Sequence, residues 1–146
     1  MRVTNVTGET IYWQSNLYTI TERQALYNDI YALNSDDTFE NRHDGKTWLE
    51  PFQGVSGEGP GSPVSPHDGI ITGDWEYNVN DRTLKINGKG NYLGLPKAVN
   101  GSELTNPNDA PDSITYTVIS VTNNRLEIEI ESGNVLWKFV LTKRSY

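Results

Sequence analysis

The chain reads as an all-β domain, an antiparallel meander closed into a small barrel of about eight strands and covered by two long loops. Three observations predict this. Apolar and polar residues alternate with period two in at least six segments, the pattern of strands with one buried face. The segments are joined by short turns rich in Asn, Asp, Ser and Gly, and almost no helical period interrupts them. Closure removes the exposed strand edges that an open sheet would leave, so a barrel is expected over a flat sheet.

Taken in order, residues 1–26 carry mixed signals. Ile11-Tyr12-Trp13 fits a short strand, and Thr21-Glu22-Arg23-Gln24 fits a helical turn with Thr21 as its cap. Asp29–Asn34 and Thr38–His43 flank the polar turn Ser35-Asp36-Asp37 and read as a hairpin. Trp75, Tyr77 and Val79 alternate with Asp74, Glu76 and Asn78; Asn80-Asp81 then turns that strand into Thr83–Asn87. Three strands close the chain, with inward sets Ile114/Tyr116/Val118, Leu126/Ile128/Ile130 and Trp137/Phe139/Leu141. Trp75, Tyr77, Trp137 and Phe139 are therefore expected in the core.

Two stretches break this rhythm. Gly45–Gly69 is dense in Gly, Pro and Ser but holds Trp48, Phe52 and Val64 as anchors. Ile86–Leu104 starts as a strand and then loses all period, with glycines at 88, 90, 94 and 101 and a proline at 96. Its apolar members Tyr92, Leu93, Leu95, Ala98 and Val99 argue for an ordered loop, and long ordered loops are often functional. Both stretches are expected to cover the barrel.

A length of 146 residues fits one domain, 1–146. The chain has no cysteine and only two histidines, His43 and His67, so neither a disulfide nor a metal site is expected, and no cofactor. Its net charge of -7 disfavours nucleic acid and anionic membrane as partners. No apolar run approaches the ~20 residues of a membrane helix, so no membrane insertion is expected. Met1–Asn5 lacks the apolar core of a secretory leader. Asn5-Val6-Thr7 and Asn100-Gly101-Ser102 match the glycosylation pattern, which is permissive enough that chance is the expected reading.

Several segments together resemble a known family. Asn28–Tyr31 with Asp37–Phe39, Thr47–Glu50, Pro63–Gly69, Tyr92–Gly101 and Ala110–Tyr116 are similar to a lipocalin-like domain that accompanies secreted polysaccharide-degrading proteins of marine bacteria. The resemblance covers about Leu26 to Lys143. It implies a calycin-type β-barrel, secretion or cell-surface location, and an accessory binding role without catalysis. Relatives carry Cys where Ala25 and Pro60 stand here, which implies loss of one disulfide and places those two loops side by side. The first 25 residues do not match, and no residue role is carried over.

The function expected from the sequence is a non-catalytic accessory binding module for a glycan, with Trp48, Glu50, Gln53, His67, Tyr92, Lys97 and Asn100 as its ligand-binding residues. Aromatic rings take the C–H face of a sugar while amides and carboxylates take its hydroxyls. One alternative is a carrier of a small apolar ligand in the barrel mouth, lined by Leu93, Leu95 and Val99. Another is a glycoside hydrolase using Glu127 and Glu131, since carboxylates on one strand face can supply nucleophile and acid. The plainer reading of Glu127-Ile128-Glu129-Ile130-Glu131 is a solvated face opposite Leu126, Ile128 and Ile130. Gly88-x-Gly90 lacks the following helix of a phosphate loop, and Asp36-Asp37 is a turn before it is a calcium site. His67-Asp68 between Pro66 and Gly69 is likewise read first as a turn.

Overall fold

The computed structural model of the chain describes residues 1–144. Its regular structure is mostly antiparallel strand: β1 (Arg2–Asn5), β2 (Ile11–Gln14), β3 (Ile30–Leu33), β4 (Thr38–Arg42), β5 (Thr47–Leu49), β6 (Gly59–Gly61), β7 (Gly73–Asn78), β8 (Thr83–Asn87), β9 (Ser113–Val121), β10 (Arg125–Ser132) and β11 (Val135–Thr142). Nine of them form one sheet in the order β2-β1-β11-β10-β9-β8-β7-β4-β3, while β5 and β6 pair separately. No closed barrel forms: among the described residues β2 and β3 end the sheet and do not pair with each other. The all-β antiparallel class holds, with a long open sheet in place of the expected closure.

Register follows the alternation. Leu126, Ile128 and Ile130 lie opposite Leu141, Phe139 and Trp137, and Leu84 and Ile86 opposite Tyr116 and Ile114. These side chains share the inner face and form the core with Phe39 and Val118. The pattern fails on β7, where Tyr77 and, just beyond the strand, Val79 are exposed. Only Trp75 packs there, its indole N–H donating to the Asn34 carbonyl at 3.0 Å. Strand β4 touches β7 through just two pairs, Thr38–Asp74 and Phe39–Gly73, so the distal end of β7 has no opposing layer to bury its rings.

Two short helices follow β2, α1 (Leu17–Glu22) and α2 (Gln24–Tyr27). Asn16, not Thr21, caps α1, its carboxamide oxygen accepting from the Thr19 N–H at 2.9 Å; Thr21 lies inside the helix and bonds back to the Leu17 carbonyl at 3.0 Å. Arg23 forms an ion pair with Glu58 at 2.8 Å, which ties α2 to the start of β6. The pair brings together the segments that hold Ala25, in α2, and Pro60, in β6. No helix among the described residues is long and apolar enough to cross a membrane.

Candidate functional site

The long loop after β8 packs onto the inner face of the sheet and becomes part of the core. Tyr92, Leu93, Leu95 and Ala98 are buried to 1 % exposure or less. A buried irregular backbone needs partners for its polar groups, and inward polar side chains on the strands supply them. Asn41 of β4 brackets Tyr92, donating to its carbonyl at 2.9 Å and accepting from its N–H at 3.1 Å. The Tyr116 hydroxyl of β9 accepts from the Leu93 N–H at 2.9 Å, and the Tyr31 hydroxyl of β3 donates to the Gly94 carbonyl at 3.1 Å. Gly94 has φ +85° and lies against the Phe139 ring where a Cβ would overlap it, so glycine alone satisfies both constraints. This loop is a second layer of the fold, not a movable cover.

The residues expected to bind ligand are placed accordingly. Glu50 and Gln53 are buried and cap the single turn Pro51–Gln53, the side-chain amide oxygen of Gln53 accepting from the Glu50 N–H at 3.0 Å. Lys97 donates to Glu50 at 3.0 Å and lies 5.4 Å over the Trp137 ring. Phe52, within that turn, meets His67 edge-on at 6.1 Å, and His67 meets Tyr92 at 5.9 Å. Five of the seven residues are thus brought together as one packing group, buried except for Lys97. Trp48 is half-buried on β5, one face covered by the Arg23 guanidinium at 4.8 Å, which also lies 5.5 Å from Trp13. Asn100 stands apart and exposed, holding the Thr115 backbone through both atoms of its amide, at 2.9 and 2.8 Å. Most of the expected loop-tip platform thus lies inside the fold. Burial leaves Glu50, Gln53, His67 and Tyr92 no open face.

Beside this group lies a polar cluster that the sequence reading missed. Asp29 accepts from the Thr47 hydroxyl at 2.6 Å and pairs with His43 Nδ1 at 2.9 Å. Its side chain is 0 % exposed and that of His43 4 %, and the imidazole stacks on Tyr92 at 6.5 Å. The hairpin register was the available signal: Ile30 opposite Arg42 places Asp29 opposite His43. An Asp–His pair is the orienting half of many catalytic sites, but here it is sealed. His43 Nε2 and His67 Nδ1 are buried without a hydrogen-bond partner among the described residues. Burial lowers His67 to a pKa of about 4 against the attraction of Asp68, and burial followed by the charge of Asp29 raises Tyr92 well above the usual tyrosine range. Burial thus disfavours the charged forms of both His67 and Tyr92. Among the described residues, no group of three His, Cys, Asp or Glu side chains is placed to hold a metal ion.

The glutamates of β10 face outward. Glu127 pairs with Arg125 at 2.8 Å and Glu129 with Lys138 at 3.2 Å. A hollow of about 220 Å³ takes Glu129 and Glu131 with Asn100 but not Glu127.

A larger concavity than this hollow lies elsewhere, in a groove of about 940 Å³ between β3 and the distal ends of β10 and β11. Leu26, Leu33, Leu126 and Leu141 supply apolar wall, while Asn28, Asn34, Asn123 and Asn124 supply amides. None of the seven expected residues lines it. The groove exists because the sheet stays open, a property that depends on how the two ends of the sheet meet and not on any local motif. No protein-family model, curated protein or solved structure matches this chain in comparisons with known proteins.

Proposed function

We propose that the chain is a non-catalytic binding module whose ligand lies in the groove between β3 and β11. The observation that carries this reading is the groove itself, about 940 Å³ of solvent-accessible concavity with both apolar and hydrogen-bonding walls. Ligand sites of this size, apolar with a few polar groups, are typical of small-guest binding. The sealed Asp29–His43 pair and the outward glutamates offer no comparable access, which favours binding over catalysis. The guest suited to the groove is elongated, apolar along its body and polar or anionic at its edge. A glycan is a second reading, favoured by the four asparagines and by Tyr27, whose ring is 38 % exposed at the groove. The proposal also includes secretion or cell-surface location and descent from a lipocalin-like barrel opened at one seam, both from the resemblance of residues 26–143.

The test is a ligand panel of neutral and acidic oligosaccharides and an apolar fluorescent probe, followed by amide chemical shifts. Val140 lines the groove and is 44 % exposed, so Val140→Asp should leave the fold intact while weakening any true groove ligand by about tenfold or more, the size of one lost favourable contact plus repulsion. Binding that ignores this substitution, or shifts confined to the loops at 45–69, would overturn the assignment.

A further inference from the structure

The groove has the dimensions, edges and charge of a slot for one extended strand. Six successive antiparallel pairings lead from β3 to β11, so the two strands run in the same direction. A single strand antiparallel to both would therefore complete the seam. Strand β1 takes that position only along Val135–Lys138. Beyond it, among the described residues, the edge of β11 has no neighbour on that side.

The hydrogen-bond pattern shows which groups the seam leaves open. The Asn34 N–H donates to the Thr38 carbonyl at 2.9 Å. Bonded pairs recur at every second residue, so Ile30 and Ala32 face β4 while Tyr31 and Leu33 turn their N–H and C=O groups outward. On the other side the Lys143 N–H donates to the Asn124 carbonyl at 2.8 Å. By the same count Phe139 and Leu141 face β10, and Val140 and Thr142 turn outward. All four outward residues line the groove. A strand occupies about 160 Å³ per residue, from a rise of about 3.4 Å, a spacing of about 4.8 Å and a layer of about 10 Å. The 940 Å³ of the groove thus suits five or six residues.

Charge selects among extended peptides. The chain has 19 acidic and 12 basic residues, yet Arg42, Arg125, Lys143 and Arg144 all line this groove, the first two already paired with Glu40 and Glu127. Asp29 borders it, but its side chain is fully buried and engaged by Thr47 and His43. Lys143 and Arg144 form no ion pair among the described residues. The wall below is apolar, with Leu26, Leu33, Leu126 and Leu141.

We propose that the groove binds an extended peptide of alternating apolar and acidic residues, added as a strand antiparallel to β3 and β11, with its apolar side chains inward and its carboxylates toward Lys143 and Arg144. This rests on the groove being the binding site and names its guest. Main-chain bonds give such strand addition its affinity, and side-chain pockets give it specificity.

The probe is the blocked hexapeptide Glu-Val-Glu-Val-Glu-Val, titrated into the full chain and followed by amide shifts and hydrogen exchange. Its uncharged Gln-Val version, a version N-methylated at alternate residues, dodecanoate and a neutral oligosaccharide are run alongside. The expected result is slowed exchange at Tyr31, Leu33, Val140 and Thr142, with about tenfold weaker binding after N-methylation, as for loss of a hydrogen bond or two. The Gln-Val peptide should bind more weakly, and Lys143→Glu with Arg144→Glu should remove the advantage of the acidic one. Equal binding of the methylated peptide, or unchanged exchange at the four amides, overturns the strand. If only dodecanoate or the oligosaccharide moves groove resonances, the strand is overturned while the groove stands as a site. If no probe moves them, the binding-module reading falls as well.

Discussion

Tyr92 shows how one position changes meaning between sequence and structure. Read locally, it is an aromatic in a glycine-rich loop, where exposure and binding are reasonable expectations. Its partner for both backbone groups is Asn41, 51 positions away, and no local pattern announces such a bond. Tyr92→Ala should therefore destabilise the domain by about 3–5 kcal/mol, as for Trp137→Ala, the usual cost of truncating a buried aromatic. Equilibrium urea unfolding of the two variants checks this. A loss below about 1 kcal/mol for Tyr92→Ala would return the ring to the surface, the ordinary range for exposed substitutions. His67 makes a second prediction. Its folded pKa of about 4 lies below the ordinary 6.5, so the unfolded chain binds the extra proton between those values. The stability it contributes is present above pH 6.5 and is lost as pH falls toward 4, by roughly 3 kcal/mol at most. Urea midpoints from pH 7 to pH 4 should drop less steeply in His67→Gln after allowance for its lower starting stability.

Strands were the legible elements. Six of the main-sheet strands, β3, β4 and β8 to β11, lie within a residue or two of the alternating segments that predict them, because period two survives wherever one face is covered. The N-terminal segment was less legible. The cap signal at Thr21 was outcompeted by Asn16, whose side chain reaches the first turn directly. Tyr77 lost its core position because the layer it needs ends short of it. Two pairs of substitutions test this scale. Glu127→Gln and Glu129→Gln should each change stability by no more than about 0.5 kcal/mol, as partly exposed ion pairs contribute little, measured by thermal unfolding. Gly94→Ala should cost far more than Gly101→Ala: both have positive φ, but only Gly94 abuts a ring, whereas no atom lies within 4 Å of a Cβ at Gly101. Comparable losses would mean that backbone strain alone matters at both.

For the whole molecule, class and direction of the sheet were readable, but its closure was not. Alternation reports which face of a strand is buried and carries no information on whether the first and last strands meet. The same limit hid the groove, which depends on β1 covering half of β11 and on β2, not β3, bonding the far edge of β1. The seven expected ligand residues were chosen for residue type in irregular segments, and such segments here are mostly interior packing. Sheet and loop share one core, with Tyr92, Leu93 and Leu95 in the same cluster as Phe39 and Ile128. Unfolding should accordingly be a single cooperative transition. Coincident near- and far-ultraviolet circular dichroism curves would show this, and a separate early loss of tertiary signal would exclude it.

The bracket that Asn41 places around Tyr92 also sets the order of events in time. Its two bonds link segments 51 residues apart, so they form only after β4 and the loop have been brought together, a costly closure in chain entropy. During folding the strands can assemble while the loop backbone is still hydrated. In the native state the Tyr92 amide cannot reach solvent through a local opening of the loop, because that opening strips partners from Asn41, Tyr31 and Tyr116 at once. Its exchange should be among the slowest in the chain and should track global stability as denaturant is added. The Tyr92 amide is therefore a clock for the folding of the entire domain.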